Sequence, residues 1–304
     1  MTVAKVLPDF QERSWDFRGT RLRGLVAGPS GADAVVLLHG LGGAASNWAL
    51  LAPELARRRR VVALDLPGHG WSAPLPAAPG LGSYADAVAA VVEQERLGAV
   101  DLVGHSFGGL VSIRLAVRRP ELVRGVVLAA AAGISSHTRW AERVLALLGW
   151  VQPGRRISPY WKAVAASGAL KRVVFGRWFA DDPAALSPVA VEAVLRDINL
   201  NTDTDSAWRA LTQDDPRADL HRVRCPALVL WGASDNQLPL EDAFDFARRL
   251  HAPVRVIAKC GHLLIVERPD ACLDAIETFL EAGGSRKGEG PHAAALPIYR
   301  GAEI

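Results

Sequence analysis

Six short apolar runs, Ala34–Leu38, Val61–Leu64, Val100–Val103, Val126–Ala130, Ala227–Trp231 and Val254–Ala258, lack the polar alternation of a strand with one wet face. Unalternating strands of this kind belong to a parallel sheet covered by helices on both sides. Between most of the runs lie stretches with apolar residues at three and four spacing: Ser46–Arg58, Ser83–Arg96, Phe107–Arg118, Leu240–Leu250 and Leu263–Glu281. These predict amphipathic helices. Strand and helix in repeated alternation predict an α/β fold with right-handed crossovers. Ahead of it, Ser14-Trp15-Asp16-Phe17 and Leu22-Arg23-Gly24-Leu25-Val26, joined by Arg18-Gly19-Thr20, predict a hairpin.

One stretch breaks the rhythm. From Ile134 to Asp215 no strand signal occurs, and Pro153, Pro159, Pro183 and Pro188 divide the segment into several short helices. Five of the 9 tryptophans lie in it (Trp140, Trp150, Trp161, Trp178 and Trp208), beside Tyr160, Phe175 and Phe179. Most of these rings are expected to pack the segment itself, with at least one facing a ligand. After Glu281 the composition turns to Gly, Ser, Lys and Pro, which predicts a flexible tail. The expected organisation is a core over 1–133, a helical insertion over 134–215, the rest of the core over 216–281 and a tail over 282–304. A chain of 304 residues is long enough for a single large domain with such an insertion.

Composition removes several classes of function. With 35 Lys+Arg against 32 Asp+Glu, the net charge of +3 is too small and too evenly spread for a nucleic-acid surface. The basic run Arg57–Arg60 directly precedes an apolar run and is expected at a helix end, where cations offset the dipole. Cys225, Cys260 and Cys272 form no C-x-x-C pair and no metal-binding spacing, so neither a disulfide framework nor a metal is expected. No N-terminal apolar leader and no run of about 18 apolar residues is present, which predicts a cytoplasmic protein without a membrane span.

The chemistry is concentrated in Gly104-His105-Ser106-Phe107-Gly108, which follows a predicted strand and opens a predicted helix. In that context G-x-S-x-G forms a strained elbow that holds a serine hydroxyl in the open, with Gly104 and Gly108 where a Cβ would collide. A serine needs a base. Of the 8 histidines, His262 stands in a loop directly after the last predicted strand, at the strand end where open parallel sheets gather functional groups. His39 also follows a strand, but its expected work is to hydrogen-bond the Gly40-Leu41-Gly42-Gly43 loop. Asp235, after the penultimate strand, completes the order Ser106, Asp235, His262 as the carboxylate that fixes the imidazole tautomer. Asp65, in Asp65-Leu66-Pro67-Gly68-His69-Gly70, is expected to brace a loop. The oxyanion donors expected are the backbone N–H groups of Phe107 and Leu41, the latter in a loop whose Gly40 and Gly42 allow close approach.

His39-Gly40-Leu41-Gly42, Asp65-Leu66-Pro67-Gly68-His69-Gly70-Trp71-Ser72, Gly104-His105-Ser106-Phe107-Gly108-Gly109, Trp231-Gly232-Ala233-Ser234-Asp235 and Gly261-His262, taken in order, resemble an α/β-hydrolase of the abhydrolase-1 type. The likeness spans about residues 10–281. It implies an eight-stranded, mostly parallel sheet with a helical cap inserted after the sixth strand, and the triad Ser106, Asp235 and His262. The implied activity is that of a serine esterase acting on small to medium apolar or aromatic carboxylic esters, as monomer or homodimer, with no cofactor. Hydrolysis of a C–C bond, lactone or thioester on the same triad, or ligand sensing by a protein that keeps the triad, is the alternative. Ser106 stands where dehalogenases and epoxide hydrolases of this type carry aspartate. Leu41 and Leu263 stand where the C–C hydrolases carry serine and tryptophan.

Overall fold

The computed structural model describes residues 7–76, 79–135 and 153–284. Its strands are β1 Gln11–Phe17, β2 Thr20–Ala27, β3 Ala34–Leu38, β4 Arg60–Asp65, β5 Val100–His105, β6 Val123–Ala129, β7 Ala227–Gly232 and β8 Val254–Ile257. They form one eight-stranded sheet in the order β1-β2-β4-β3-β5-β6-β7-β8. From β3 onward the pairs are parallel, whereas β1 and β2 are antiparallel. The expected hairpin is present. Arg18 and Gly19, with φ of 54° and 80°, make a two-residue turn whose handedness matches the strand twist. Every residue of β3, β5 and β7 is buried, which is why those runs carry no alternation.

The helices are α1 Ala52–Leu55, α2 Leu81–Gln94, α3 Phe107–Arg118, α4 Pro153–Ile157, α5 Trp161–Ala166, α6 Gly168–Phe179, α7 Pro188–Leu195, α8 Thr204–Gln213, α9 Leu240–Leu250, α10 Leu264–Glu267 and α11 Pro269–Gly284. Two of the expected helices are corrected. The stretch Ser46–Arg58 is a 3-10 turn over Ala45–Trp48 followed by α1, because Trp48, Leu51, Ala52 and Leu55 are drawn into the core on a short irregular path. The stretch Leu263–Glu281 divides at Pro269, which has no N–H to continue α10 and instead begins α11. The basic run lies in the turn after α1 and enters β4 rather than ending a long helix. Arg57 pairs with Glu54, Arg58 with Glu281, and Arg60 donates to the Gly28 carbonyl. Residues 282–284 belong to α11 and not to a tail, while 285–304 lie outside the described residues.

Between β6 and β7 the described residues hold helices and turns and no strand. Trp140 and Trp150 fall outside the described residues. Arg114 of α3 fastens the far end of this segment. It donates to the Asp214 carboxylate at 2.8 Å, to the Asp215 carbonyl at 3.1 Å and to Asp219. No described helix is long and apolar enough to cross a membrane.

Candidate active site

Ser106 joins β5 to α3 with φ 51° and ψ −115°, a conformation that side chains rarely adopt. The glycines on either side permit it. A Cβ on Gly104 would lie 2.4 Å from the Gly108 carbonyl oxygen, and one on Gly108 would lie 2.2 Å from that of Leu38. The turn is held by the Ser106 N–H donating to the Ala129 carbonyl at 2.9 Å and by the Ser106 carbonyl accepting from Ala132 N–H at 3.0 Å. Phe107 is the first residue of α3, so its N–H has no intrahelical acceptor. Its ring is fully buried against Tyr84 and His69.

The structure brings the expected base and acid together. His262, in the turn after β8, and Asp235, in the turn after β7, meet with Nδ1 2.8 Å from Oδ2. The Asp235 side chain is fully buried, and its other oxygen accepts from the N–H groups of Gln237 at 2.8 Å and Leu238 at 3.0 Å. Burial pushes its carboxyl up, but the charge and hydrogen bond of His262 and the two amides outweigh it, and the pKa falls below the usual carboxylate value. Ionised Asp235 accepts a hydrogen bond from Nδ1–H, which leaves Nε2 of His262 as the basic nitrogen. Ser106 and His262 both line a cavity of about 420 Å³.

The loop after β3 is a closed turn: Gly43 N–H donates to the Gly40 carbonyl at 3.0 Å. That carbonyl also receives His39 Nδ1 at 2.8 Å, while His39 Nε2 accepts from Leu66 N–H at 2.9 Å. Burial lowers the His39 pKa to about 4, so the ring is neutral and the Leu66 amide selects the tautomer that donates to Gly40. Because the Gly40 carbonyl and the Leu41 N–H belong to one planar trans peptide, anchoring the oxygen fixes the opposite direction of the N–H. Gly40 packs against the elbow, with a Cβ there falling 3.2 Å from Ser106 Cβ. Asp65 braces the neighbouring loop as expected, accepting from Ala45 N–H at 2.6 Å, Trp71 N–H at 3.1 Å and Arg23 at 3.1 Å.

Of the aromatic residues singled out, Trp178, Phe179 and Trp208 line the cavity, Phe175 is in the core, and Tyr160 is exposed. Leu41, Val194, Ile198, Leu211, Leu238, Leu263, Ile265 and Val266 add apolar surface to the wall.

Three contributors had no sequence signal. His105 is buried on the cavity wall and contacts the His262 carbonyl through Nε2 at 2.9 Å. Glu267 gathers three amides, from Gly261 at 2.7 Å, Asp181 at 2.8 Å and Asp182 at 3.1 Å, tying the His262 loop to the chain after α6. Asn201 reaches from the helical segment to the Gly42 carbonyl. No group of three or more His, Cys, Asp or Glu among the described residues has a metal-binding arrangement.

The model of the alpha/beta hydrolase family matches residues 35–275. The 2-hydroxymuconate semialdehyde hydrolase of Pseudomonas sp. (strain CF600) is 41% identical over 260 residues, covering 81% of this chain and 86% of that protein. The dihydrolipoyllysine-residue acetyltransferase component of an acetoin cleaving system from Pseudomonas putida is 33% identical over 269 residues, covering 86% of this chain and 67% of that one. Among solved structures, the enol-lactonase from Burkholderia xenovorans LB400 has a TM-score of 0.70 at 24% identity, covering 88% of this chain and all of that one (100%).

Proposed function

The chain belongs to the alpha/beta hydrolase family, and within it we propose a serine hydrolase that cleaves small to medium apolar or aromatic carboxylic esters. The observation that carries this reading is the buried 2.8 Å contact of His262 with Asp235, opening with the strained Ser106 onto one largely apolar cavity. The described walls of that cavity hold no Lys, Arg, Asp or Glu, which suits a neutral ester with an apolar acyl or aryl part. The described residues of the segment 134–215 act as a cap over this cavity and contribute Trp178, Phe179 and Trp208 to it.

In the reaction His262 Nε2 takes the Ser106 proton as Oγ bonds to the ester carbonyl carbon. The carbonyl electron pair moves to oxygen, which receives the N–H groups of Leu41 and Phe107. Collapse breaks the bond to the alcohol oxygen, which leaves with the proton from His262. Water then attacks the acyl-enzyme with the same base and the same donors, releasing acid and regenerating Ser106.

Hydrolysis of p-nitrophenyl esters from acetate to decanoate, wild type beside Ser106→Ala, tests this. Turnover by wild type alone, with a preference among chain lengths, is the expected result, and equal activity of Ser106→Ala refutes the mechanism. The second reading, C–C bond hydrolysis, is favoured by the relative that is a 2-hydroxymuconate semialdehyde hydrolase. Leu41, Leu263 and the uncharged walls weigh against it, and turnover of a vinylogous 1,5-diketone acid in preference to every ester would establish it.

A further inference from the structure

The side chain of Asn201 joins the helical segment between β6 and β7 to the loop that carries Leu41. Asn201 is 5% exposed and follows the 3-10 turn Ile198–Leu200. Its Nδ2 donates to the Gly42 carbonyl at 2.7 Å, and its Oδ1 accepts from Gly70 N–H at 2.8 Å. The backbone beside it is seated as closely: the N–H groups of Thr202 and Asp203 both donate to the Gly68 carbonyl, at 2.8 and 3.0 Å. Asp203 in turn caps α8 by accepting from Ser206 N–H at 3.0 Å.

Gly42 has φ of 73° and stands among glycines whose peptides turn easily when nothing holds them. The peptide that ends in the Leu41 N–H is anchored at its Gly40 carbonyl by His39. The peptide between Gly42 and Gly43 is anchored by Asn201. Leu41 is therefore clamped from both sides, once from the core and once from the helical segment. That segment also feels the substrate space, since Ile198 lies before Asn201, Trp208 and Leu211 lie after it, and all three line the cavity.

We infer that Asn201 is a positioning residue that aims the Leu41 N–H at the developing oxyanion and makes that aim depend on how the helical segment is seated. The inference rests on the reading of Ser106 and Leu41 under Proposed function. It has two consequences. Removing the Asn201 donor weakens stabilisation of the tetrahedral intermediate without weakening capture of the ester. And an acyl group that fills the cavity against Ile198 and Trp208 raises kcat, rather than only lowering KM, because the seated segment holds the donor in place.

Asn201→Ala removes both hydrogen bonds, whereas Asn201→Asp keeps the volume and the acceptor for Gly70 but sets an oxygen against the Gly42 carbonyl. The expected result is a fall in kcat of about 10- to 100-fold, with KM within about threefold, for p-nitrophenyl esters. The inhibition constant of an alkyl trifluoromethyl ketone, whose adduct on Ser106 carries the oxyanion, should rise with it. Asn201→Asp should be at least as impaired as Asn201→Ala, although a role in packing alone would make the isosteric variant the milder one. The rise of kcat with acyl length should flatten in both. If kcat and the inhibition constant for Asn201→Asp stay within about threefold of wild type, or if only KM changes, the inference is overturned, whatever happens to the melting temperature. Wild type no more active than Ser106→Ala refutes the reading of Ser106 instead, an outcome separate from a loss confined to the Asn201 variants.

Discussion

Asp235→Asn changes one atom in a site whose hydrogen bonds leave the new amide a single orientation. In the wild type Oδ1 accepts from the N–H groups of Gln237 and Leu238, and Oδ2 faces His262 Nδ1 at 2.8 Å. If the substituted side chain turned its Nδ2 toward the two backbone amides, it would strand two buried donors at a cost of about 1–3 kcal/mol each. The oxygen therefore stays with the amides and Nδ2 faces the imidazole. His262 must then present a lone pair at Nδ1 and carry its proton on Nε2, the nitrogen that has to accept from Ser106. The base is inverted while the packing is intact. A wrong-tautomer histidine of this kind lowers kcat by about 10⁴, equivalent to about 5 kcal/mol of barrier. The assay is steady-state hydrolysis of p-nitrophenyl butyrate by purified wild type and variant, with melting temperature as the control for folding. A loss of less than tenfold in kcat, or a loss carried by KM, would show that another group orients His262.

Two further tests address the scaffold. Burial lowers the His69 pKa to about 3, against about 6.5 in the unfolded chain, so between these values the unfolded chain binds a proton that the folded one does not. Its contribution is present above pH 6.5 and is lost as pH falls toward the folded value. The gap in unfolding free energy between wild type and His69→Asn, measured by urea titration, should shrink by about 2 kcal/mol from pH 7.5 to pH 5, and a constant gap would contradict the burial argument. Gly108→Ala places a methyl 2.2 Å from the Leu38 carbonyl oxygen and 2.7 Å from that of His39. Neither can yield without moving β3, so a stability loss of about 3 kcal/mol is expected, and an unchanged denaturation midpoint would mean that the crossing of α3 over β3 has slack.

The parts of this molecule that could be read from the sequence are those where one residue type is forced by its surroundings. β3 and β7 carry no polar side chain because both faces are covered, and the elbow needs glycine at 104 and 108 because backbone lies where a Cβ would sit. Asp235 and His262 were legible because each directly follows a strand, and adjacent parallel strands bring their ends together. Periodicity failed where it outlasted the helix. The apolar spacing runs on through Pro269, and Trp48 to Leu55 keeps helical spacing although only four of those residues form α1.

Asn201 and Glu267 were hidden for a different reason. Their partners are main-chain atoms of loops far along the chain, 159 residues away for the Asn201 donor and 86 for one amide bound by Glu267. A carbonyl or an amide is present at nearly every position whatever the side chain, so no residue pattern marks it as the other half of a bond. Both contacts tie the helical segment to a loop of the candidate site: Glu267 joins it to the His262 turn, and Asn201 joins it to the turn of Leu41. The sequence thus discloses the groups proposed to react through their side chains. How those groups are held relative to the helical segment is written in the backbone, and under the proposal for Asn201 the segment's seating changes the chemistry without any change in Ser106, Asp235 or His262.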